Sequence, residues 1–280
     1  MSDKPPISER GAWSLAWQRF RHHKLAMASA ALLIVLAVLS AAAPLFEIMF
    51  GIDASRVDLL HRFTLPTTDA WLGRDELGRD VFVRMLYGGQ VSLLVGAVTA
   101  IAAAVIGTMV GLAAAYRGGW LDALLMRFTD AVIALPFLPL LIVLAAIDLN
   151  KLGIPPALIN SELIGLYGIL FIVALVGWTT SARLVRGAAL SIRERDFVLA
   201  ARAQGASAWR IMGVHILPNL VSPIIVATTL SAGKIILLES VLSFLGLGIQ
   251  PPVASWGNQL TNAQELIYSA PQLAFFPGIA

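Results

Sequence analysis

From Leu25 to Phe46 the chain runs through 22 residues without a charged side chain. At about 1.5 Å per residue a helix of that length reaches roughly 33 Å, enough to clear a hydrocarbon core of about 30 Å. Similar uncharged runs follow at Val91–Tyr116, Ala131–Ile147 (with Pro136 and Pro139 as kinks) and Leu163–Ala182. Leu220–Leu238 is apolar except for Lys234, and Leu266–Ala280 is apolar but only 15 residues long. These runs predict about six membrane spans, the last incomplete. Backbone groups in lipid must bond within their own segment and no barrel periodicity is present, so the fold class is an all-α, polytopic membrane bundle. Composition agrees: 58% of residues are hydrophobic against 13% charged, and the mean hydropathy of +0.80 excludes a soluble globular domain.

Lys and Arg in the flanks set the expected orientation. The arm 1–24 carries Lys4, Arg10, Arg19, Arg21 and Lys24 against Asp3 and Glu9, and Arg183–Asn219 carries six Arg against Glu194 and Asp196. Both are expected on the cytoplasmic side. Glu47–Gln90 has five Arg against seven acids, and Asp148–Glu162 has one Lys against two acids, which puts these on the other face. The expected organisation is a cytoplasmic arm 1–24, a first span 25–46, an extracytoplasmic segment 47–90, and a core 91–280 that includes a cytoplasmic loop 193–219. Ser40-Ala41-Ala42-Ala43 also resembles a signal-peptide cleavage site, but the apolar run before it is longer than a signal core of about 7–15 residues, which favours a retained anchor.

Several functions are excluded. The net charge of +3 comes without a basic cluster outside the membrane flanks, so no nucleic-acid surface is expected. Four scattered histidines (His22, His23, His61, His215) and no cysteine exclude disulfides and thiolate chemistry and starve a zinc cluster of its usual ligands, so no metal site is expected. Neither HExxH nor GxSxG occurs, which argues against an intramembrane enzyme, and GxxxxGK[ST] is absent too. A secondary transporter or channel would show paired ionisable groups in its spans, whereas Lys234 is almost alone.

The loop Arg193–Asn219 reads as two short helices forming a knob. Phe197 and Ala201 share one face, Gly205 is a left-handed stop, and Ser207 caps the next helix. There Trp209, Met212 and Ile216 form an apolar stripe ahead of Pro218, a good first residue for the fifth span. On spacing alone the knob could equally be a membrane-surface hairpin. Residues 71–85 predict an amphipathic helix, with Asp75–Arg79 and Asp80–Arg84 as i, i+4 ion pairs and Leu77, Val81 and Met85 on one face. This helix is either a solvated scaffold or a contact for an external protein. Gly246–Pro252 cannot continue a straight helix and is expected to line or cap a pathway. Lys234 is either a pathway charge or a snorkelling lysine, with Glu239 its nearest acid. Asp130 could pair with Arg127 or face its own helix's N-terminus. Gly107 and Gly111 form a GxxxG step that serves either internal packing or a subunit seam.

The run Ala200-Ala201-x3-Gly205-x11-Leu217-Pro218 resembles the EAA loop of ABC-importer permeases, with Leu199 where that family often has Glu and His215 where it has Ile. Two further stretches resemble the C-type subunit of the dipeptide, oligopeptide and nickel permeases. One is Trp71-Leu72-Gly73-Arg74-Asp75-Glu76-Leu77-Gly78-Arg79-Asp80, completed by Arg84; the other is Ser243-Phe244-Leu245-Gly246-Leu247-Gly248-Ile249-Gln250-Pro251-Pro252, followed by Ser255-Trp256-Gly257. The resemblance implies a type I ABC importer permease in a bacterial inner membrane, with a last span that continues past Ala280. It implies that Ala200, Ala201, Gly205, Ser207, Trp209, His215, Leu217 and Pro218 dock into an ATP-binding subunit. Lys234, Glu239, Gly246, Gly248, Pro251, Pro252 and Trp256 are expected at the pathway or gate, and Asp75, Arg79, Asp80 and Arg84 at an extracytoplasmic contact. The implied partners are a homologous second permease, two ATP-binding subunits that carry ATP and Mg, and an external substrate-binding protein. This chain would hold no cofactor of its own. Peptide is the expected cargo, with nickel or another small solute as the alternative.

Overall fold

A computed structural model describes residues 20–136, 139–140, 142–143 and 163–280. Most of the arm 1–24, part of the expected third span and the whole of 148–162 lie outside the described residues. Three described helices are long and apolar enough to cross a membrane, Lys24–Ala41, Val81–Arg117 and Ala208–Phe244, and no strand occurs among the described residues.

The first apolar run is two helices, α1 (Lys24–Ala41) and α2 (Ala43–Phe50), because Pro44 in the first turn of α2 restarts the backbone ladder at Ala42. The His23 ring caps α1 by accepting from the Ala26 N–H at 3.1 Å. The next helix, α3 (Val81–Arg117), is the axle of the molecule. Its 37 residues reach about 56 Å, so it projects well beyond one membrane thickness. It starts ten residues before the expected Val91 because the Asp80 carboxylate accepts from the Val83 N–H at 3.0 Å and caps it there. It ends where Gly118 and Gly119 both take positive φ, and α4 (Gly119–Ala134) turns back. Helix α5 (Leu163–Arg193) runs beyond the expected Ala182 to the knob.

Small residues seat α3 against α5. A Cβ on Gly107 would lie 2.6 Å from the Trp178 carbonyl oxygen, and one on Gly111 would strike the Ala182 carbonyl. The GxxxG step is therefore an internal seam. Polar clamps close the same end: Arg186 forks onto Asp122 at 2.5 and 2.6 Å, and Arg193 donates to the Ala115 carbonyl at 2.7 Å. Asp130 pairs with Arg183 of α5 rather than with Arg127.

Beyond α5 come α6 (Asp196–Ala203) and α7 (Ala208–Arg210), then a π-helical turn Ile211–Ile216 that leads into α8 (Leu217–Phe244). The chain finishes with α9 (Ala263–Leu266) and α10 (Gln272–Ile279). The run Leu266–Ala280 is thus not one helix: Ile267–Ala270 is a non-helical turn, and Pro271 stands at the start of α10.

Candidate functional site

The predicted site residues gather at opposite ends of the bundle. At one end the knob rests on a buried apolar cluster made by Leu112 and Ala115 of α3, Val185, Ala189 and Ile192 of α5, Val198 of α6, Ile211 and Ile216 of the π turn, and Leu220 of α8. It is seated on the feet of three long helices at once. Its turn forms as the sequence predicts: Gly205 has φ +78°, its N–H donates to the Arg202 carbonyl at 3.0 Å, and the Ala206 N–H donates to the Ala201 carbonyl at 3.1 Å. Those two bonds are a Schellman stop. Ser207 caps α7, accepting from the Arg210 N–H at 3.4 Å.

Two facings differ from the expected ones. The buried side chains after the turn are Ile211 and Ile216, five residues apart, because a π turn sets that spacing on one face. Ile216 of the expected stripe is buried and Met212 partly buried, but Trp209 is 81% exposed. In α6, Val198 and Ala201 face inward while Phe197 and Leu199 face out, since the helix begins at Asp196 after a turn that rotates it against α5. Ala200 and Pro218 are exposed, and His215 and Leu217 half-buried. Trp209, Phe197, Leu199 and Val214 thus leave the knob with an uncovered apolar surface.

At the other end the expected amphipathic helix over 71–85 is replaced by turns from Trp71 to Asp80, followed by the first turns of α3. Gly73 and Gly78 take φ of +78° and +74°, which a right-handed helix does not allow. A side chain at Gly78 would collide with the Asp58 backbone. Asp75 organises the turn: its Oδ1 accepts from the N–H groups of Leu77 and Arg79, both at 2.9 Å, and its Oδ2 from Arg79 Nε at 2.7 Å. The Asp75–Arg79 pair therefore exists, but in a turn. Arg84 approaches Asp75 at 3.6 Å instead of pairing with Asp80, which is occupied as the α3 cap. Burial pushes the Asp80 carboxyl above the ordinary aspartate range. Arg79, Asp80 and Arg84 are 9%, 6% and 5% exposed, so these side chains build the lobe from within rather than form a solvated face.

The segment after α8 folds back over this end. A second Schellman stop closes α8 at Gly246, φ +74°, with the Leu247 N–H donating to the Leu242 carbonyl at 2.9 Å. Gly248 lies against the Ser243 backbone, where a Cβ has no room. Glu239 is fully buried. Ser92 of α3 donates to one of its carboxylate oxygens at 3.0 Å and Ser243 to the other at 2.7 Å. Each serine oxygen also accepts a backbone N–H of the returning segment: Trp256 on Ser92 at 3.2 Å and Ile249 on Ser243 at 3.0 Å. The Trp256 indole donates to the Met85 carbonyl at 3.1 Å, in a groove left open by Gly88 and Gly89.

Ser92, Gly88 and Gly89 were not legible as site residues, because their roles depend on a segment more than 150 positions away. Pro251 and Pro252 sit exposed at the tip of the turn. Lys234 does not join this network; it lies on the exposed face of α8 near Leu230 and Leu237, without an ion pair among the described residues.

The comparisons with known proteins follow this architecture. The model of the binding-protein-dependent transport system inner membrane component matches residues 103–280, and that of the N-terminal TM domain of oligopeptide transport permease C matches residues 11–55. The dipeptide transport system permease protein DppC of Alkalihalophilus pseudofirmus is 37% identical over 268 residues, covering 96% of this chain and 83% of that protein. The oligopeptide transport system permease protein OppC of Bacillus subtilis is 34% identical, covering 98% and 85%. The glutathione transport system permease protein GsiD of Pectobacterium atrosepticum is 35% identical, again covering 98% and 85%. A helical bundle of this build, matched along its length by permeases, is a multi-pass membrane subunit of an ABC importer. The chain belongs to the family of binding-protein-dependent transport system inner membrane components.

Proposed function

We propose that this chain is one of two homologous membrane subunits of a peptide importer, driven by separate subunits that bind ATP and Mg and hydrolyse the nucleotide. The observation that carries the reading is the knob: an uncovered apolar face around Trp209, on a support packed against α3, α5 and α8 together. A push on such a knob moves three helices as one body, because a close-packed apolar cluster transmits displacement rather than absorbing it. Closure of the ATP-binding pair would rock these helices against the second permease and switch the pathway between faces. That shift requires ATP to bind the closed arrangement better than the open one.

The excess of Arg and Lys around the knob and in the arm 1–24 supports a cytoplasmic knob and N-terminus. The segment latched by Glu239 then lies on the delivery side, where an external binding protein hands over cargo. In this reading it forms the outer gate, with Lys234 turned toward the second permease. The relatives, named for dipeptide, oligopeptide and glutathione transport, favour peptide over nickel.

The test is Trp209→Asp in the reconstituted importer. Peptide uptake is expected to fall at least tenfold while membrane insertion and assembly of the permease pair persist. Uptake at the wild-type rate would remove the docking model.

A further inference from the structure

A cavity of about 190 Å³ lies at the end opposite the knob, between the Asp75–Arg84 stretch, the segment after α8, and α10. Its wall includes Arg79 and Arg84, both at least nine-tenths buried, and its floor includes Val81, Leu266, Leu273 and Pro277.

Donors outnumber available partners around the two arginines. The Asp75 carboxylate is already spent on Leu77 and Arg79, and its 3.6 Å approach to Arg84 Nε is longer than a hydrogen bond. Asn258 donates to the Ile249 and Val253 carbonyls and accepts from the Ser255 N–H. Gln259 donates to the Arg84 and Ser255 carbonyls. Gln250 donates to the Gly246 and Gly248 carbonyls, and Thr261 to that of Ser243. Glu76 accepts from Asn262 at the exposed rim and forms no ion pair among the described residues. The Arg84 guanidinium therefore donates no hydrogen bond to any described residue, and Arg79 commits only its Nε. Two buried forks face a cavity in which no described acceptor lies within hydrogen-bond distance of the Arg84 guanidinium.

A guanidinium fork matches a planar two-oxygen acceptor, and the 3.6 Å ion pair with Asp75 leaves that bidentate position of Arg84 unfilled. We propose that this cavity receives the terminal carboxylate of the peptide cargo, held by Arg84 with Arg79 beside it, while the adjoining side chain rests on the apolar floor. The assignment rests on the peptide reading above. A peptide C-terminus fits because it presents a carboxylate and a side chain on one residue, as the charged wall and apolar floor require.

The experiment uses the complete importer in detergent without its binding protein, and reads thermal protection by trialanine and by trialanine C-terminal amide. The acid is expected to protect and the amide not. Arg84→Gln is expected to raise the concentration for half-protection at least tenfold. Arg84→Lys, which keeps the charge and loses the fork, should fall between and shows that the variants fold. Equal protection by acid and amide, or an Arg84→Gln importer that matches wild type, overturns the assignment. So does a loss of binding-protein docking in Arg84→Gln without any protection by trialanine, since the carboxylate would then belong to the binding protein. Trialanine uptake by the importer with its binding protein tests the peptide reading separately. Uptake without acid–amide discrimination overturns the cavity assignment alone, whereas absent uptake overturns the peptide reading and with it the peptide source of the carboxylate.

Discussion

At the knob end the buried set is apolar throughout, from Leu112 and Val185 to Ile211 and Leu220. At the far end it contains Arg79, Asp80, Arg84, Ser92, Glu239 and Ser243. The first end is made of short helices lying against long ones, where dispersion and burial suffice and no single bond is indispensable. The second must hold more than a dozen residues of irregular backbone, from Leu245 to Gly257, and apolar contact alone cannot orient a loop. Directional bonds do so there, through one carboxylate and two serines. Under the proposed mechanism a pushed knob can be packed, whereas a gate segment that opens and recloses in one place would be better held by a few bonds that break together.

The sharpest way to break this contrast is Glu239→Ala. It strips both serines of their acceptor, and since a buried polar group left unsatisfied costs about 1–3 kcal/mol, a loss of about 3 kcal/mol in unfolding free energy is expected. Denaturant unfolding of the solubilised chain measures it, and a loss under about 1 kcal/mol would mean that the loop is held by something other than this network. Gly111→Val comes next: the added side chain meets the Ala182 carbonyl across the α3–α5 seam, an overpacking expected to cost about 2–3 kcal/mol. Gly187→Ala, with open space around it, is its control and should be neutral or stabilising by up to about 1 kcal/mol.

At the knob, Gly205→Val forces a β-branched residue to φ +78°, for about 1–2 kcal/mol in stability. Its larger effect is expected in function, as ATP hydrolysis that continues while peptide uptake falls. The smallest effect is that of Asp122→Asn. Both partners of this clamp are partly exposed, so about 1 kcal/mol or less is expected at neutral pH. The hydrogen bond from Arg186 holds the Asp122 carboxyl below its ordinary value. The stabilisation is therefore present above the unfolded aspartate pKa of about 3.9 and is lost as pH falls through the lower folded value, so wild type and variant should converge in acid.

Local signals in the chain were read correctly where the structure they specify is also local. Gly205 and Ser207 needed only their neighbours to form a stop and a cap, and both are seen. The stretch 71–85 is not the helix that its i, i+4 charges predict, because Gly73, Gly78 and the Asp75 turn bonds favour a loop that is stabilised against Asp58 and Thr64. The stripe Trp209, Met212 and Ile216 does not stay on one face because a π turn, invisible in hydrophobic periodicity, follows Trp209 and changes the spacing. The cavity beside Arg84 left no trace in the sequence, since its walls come from three separated stretches.

The apolar runs determined on their own that this chain lives in a membrane as helices, because lipid offers the backbone no other hydrogen-bonding partner. The spacing of Gly205, Ser207 and Leu217-Pro218 determined that one loop would hold two short helical pieces joined by a tight turn ahead of the fifth span. Tertiary structure alone decided which face of that knob is bare, which helix fills the GxxxG step, and that Glu239 answers to serines rather than to Lys234. Those outcomes depend on which distant backbone arrives next to a side chain, and one-dimensional spacing does not carry that information.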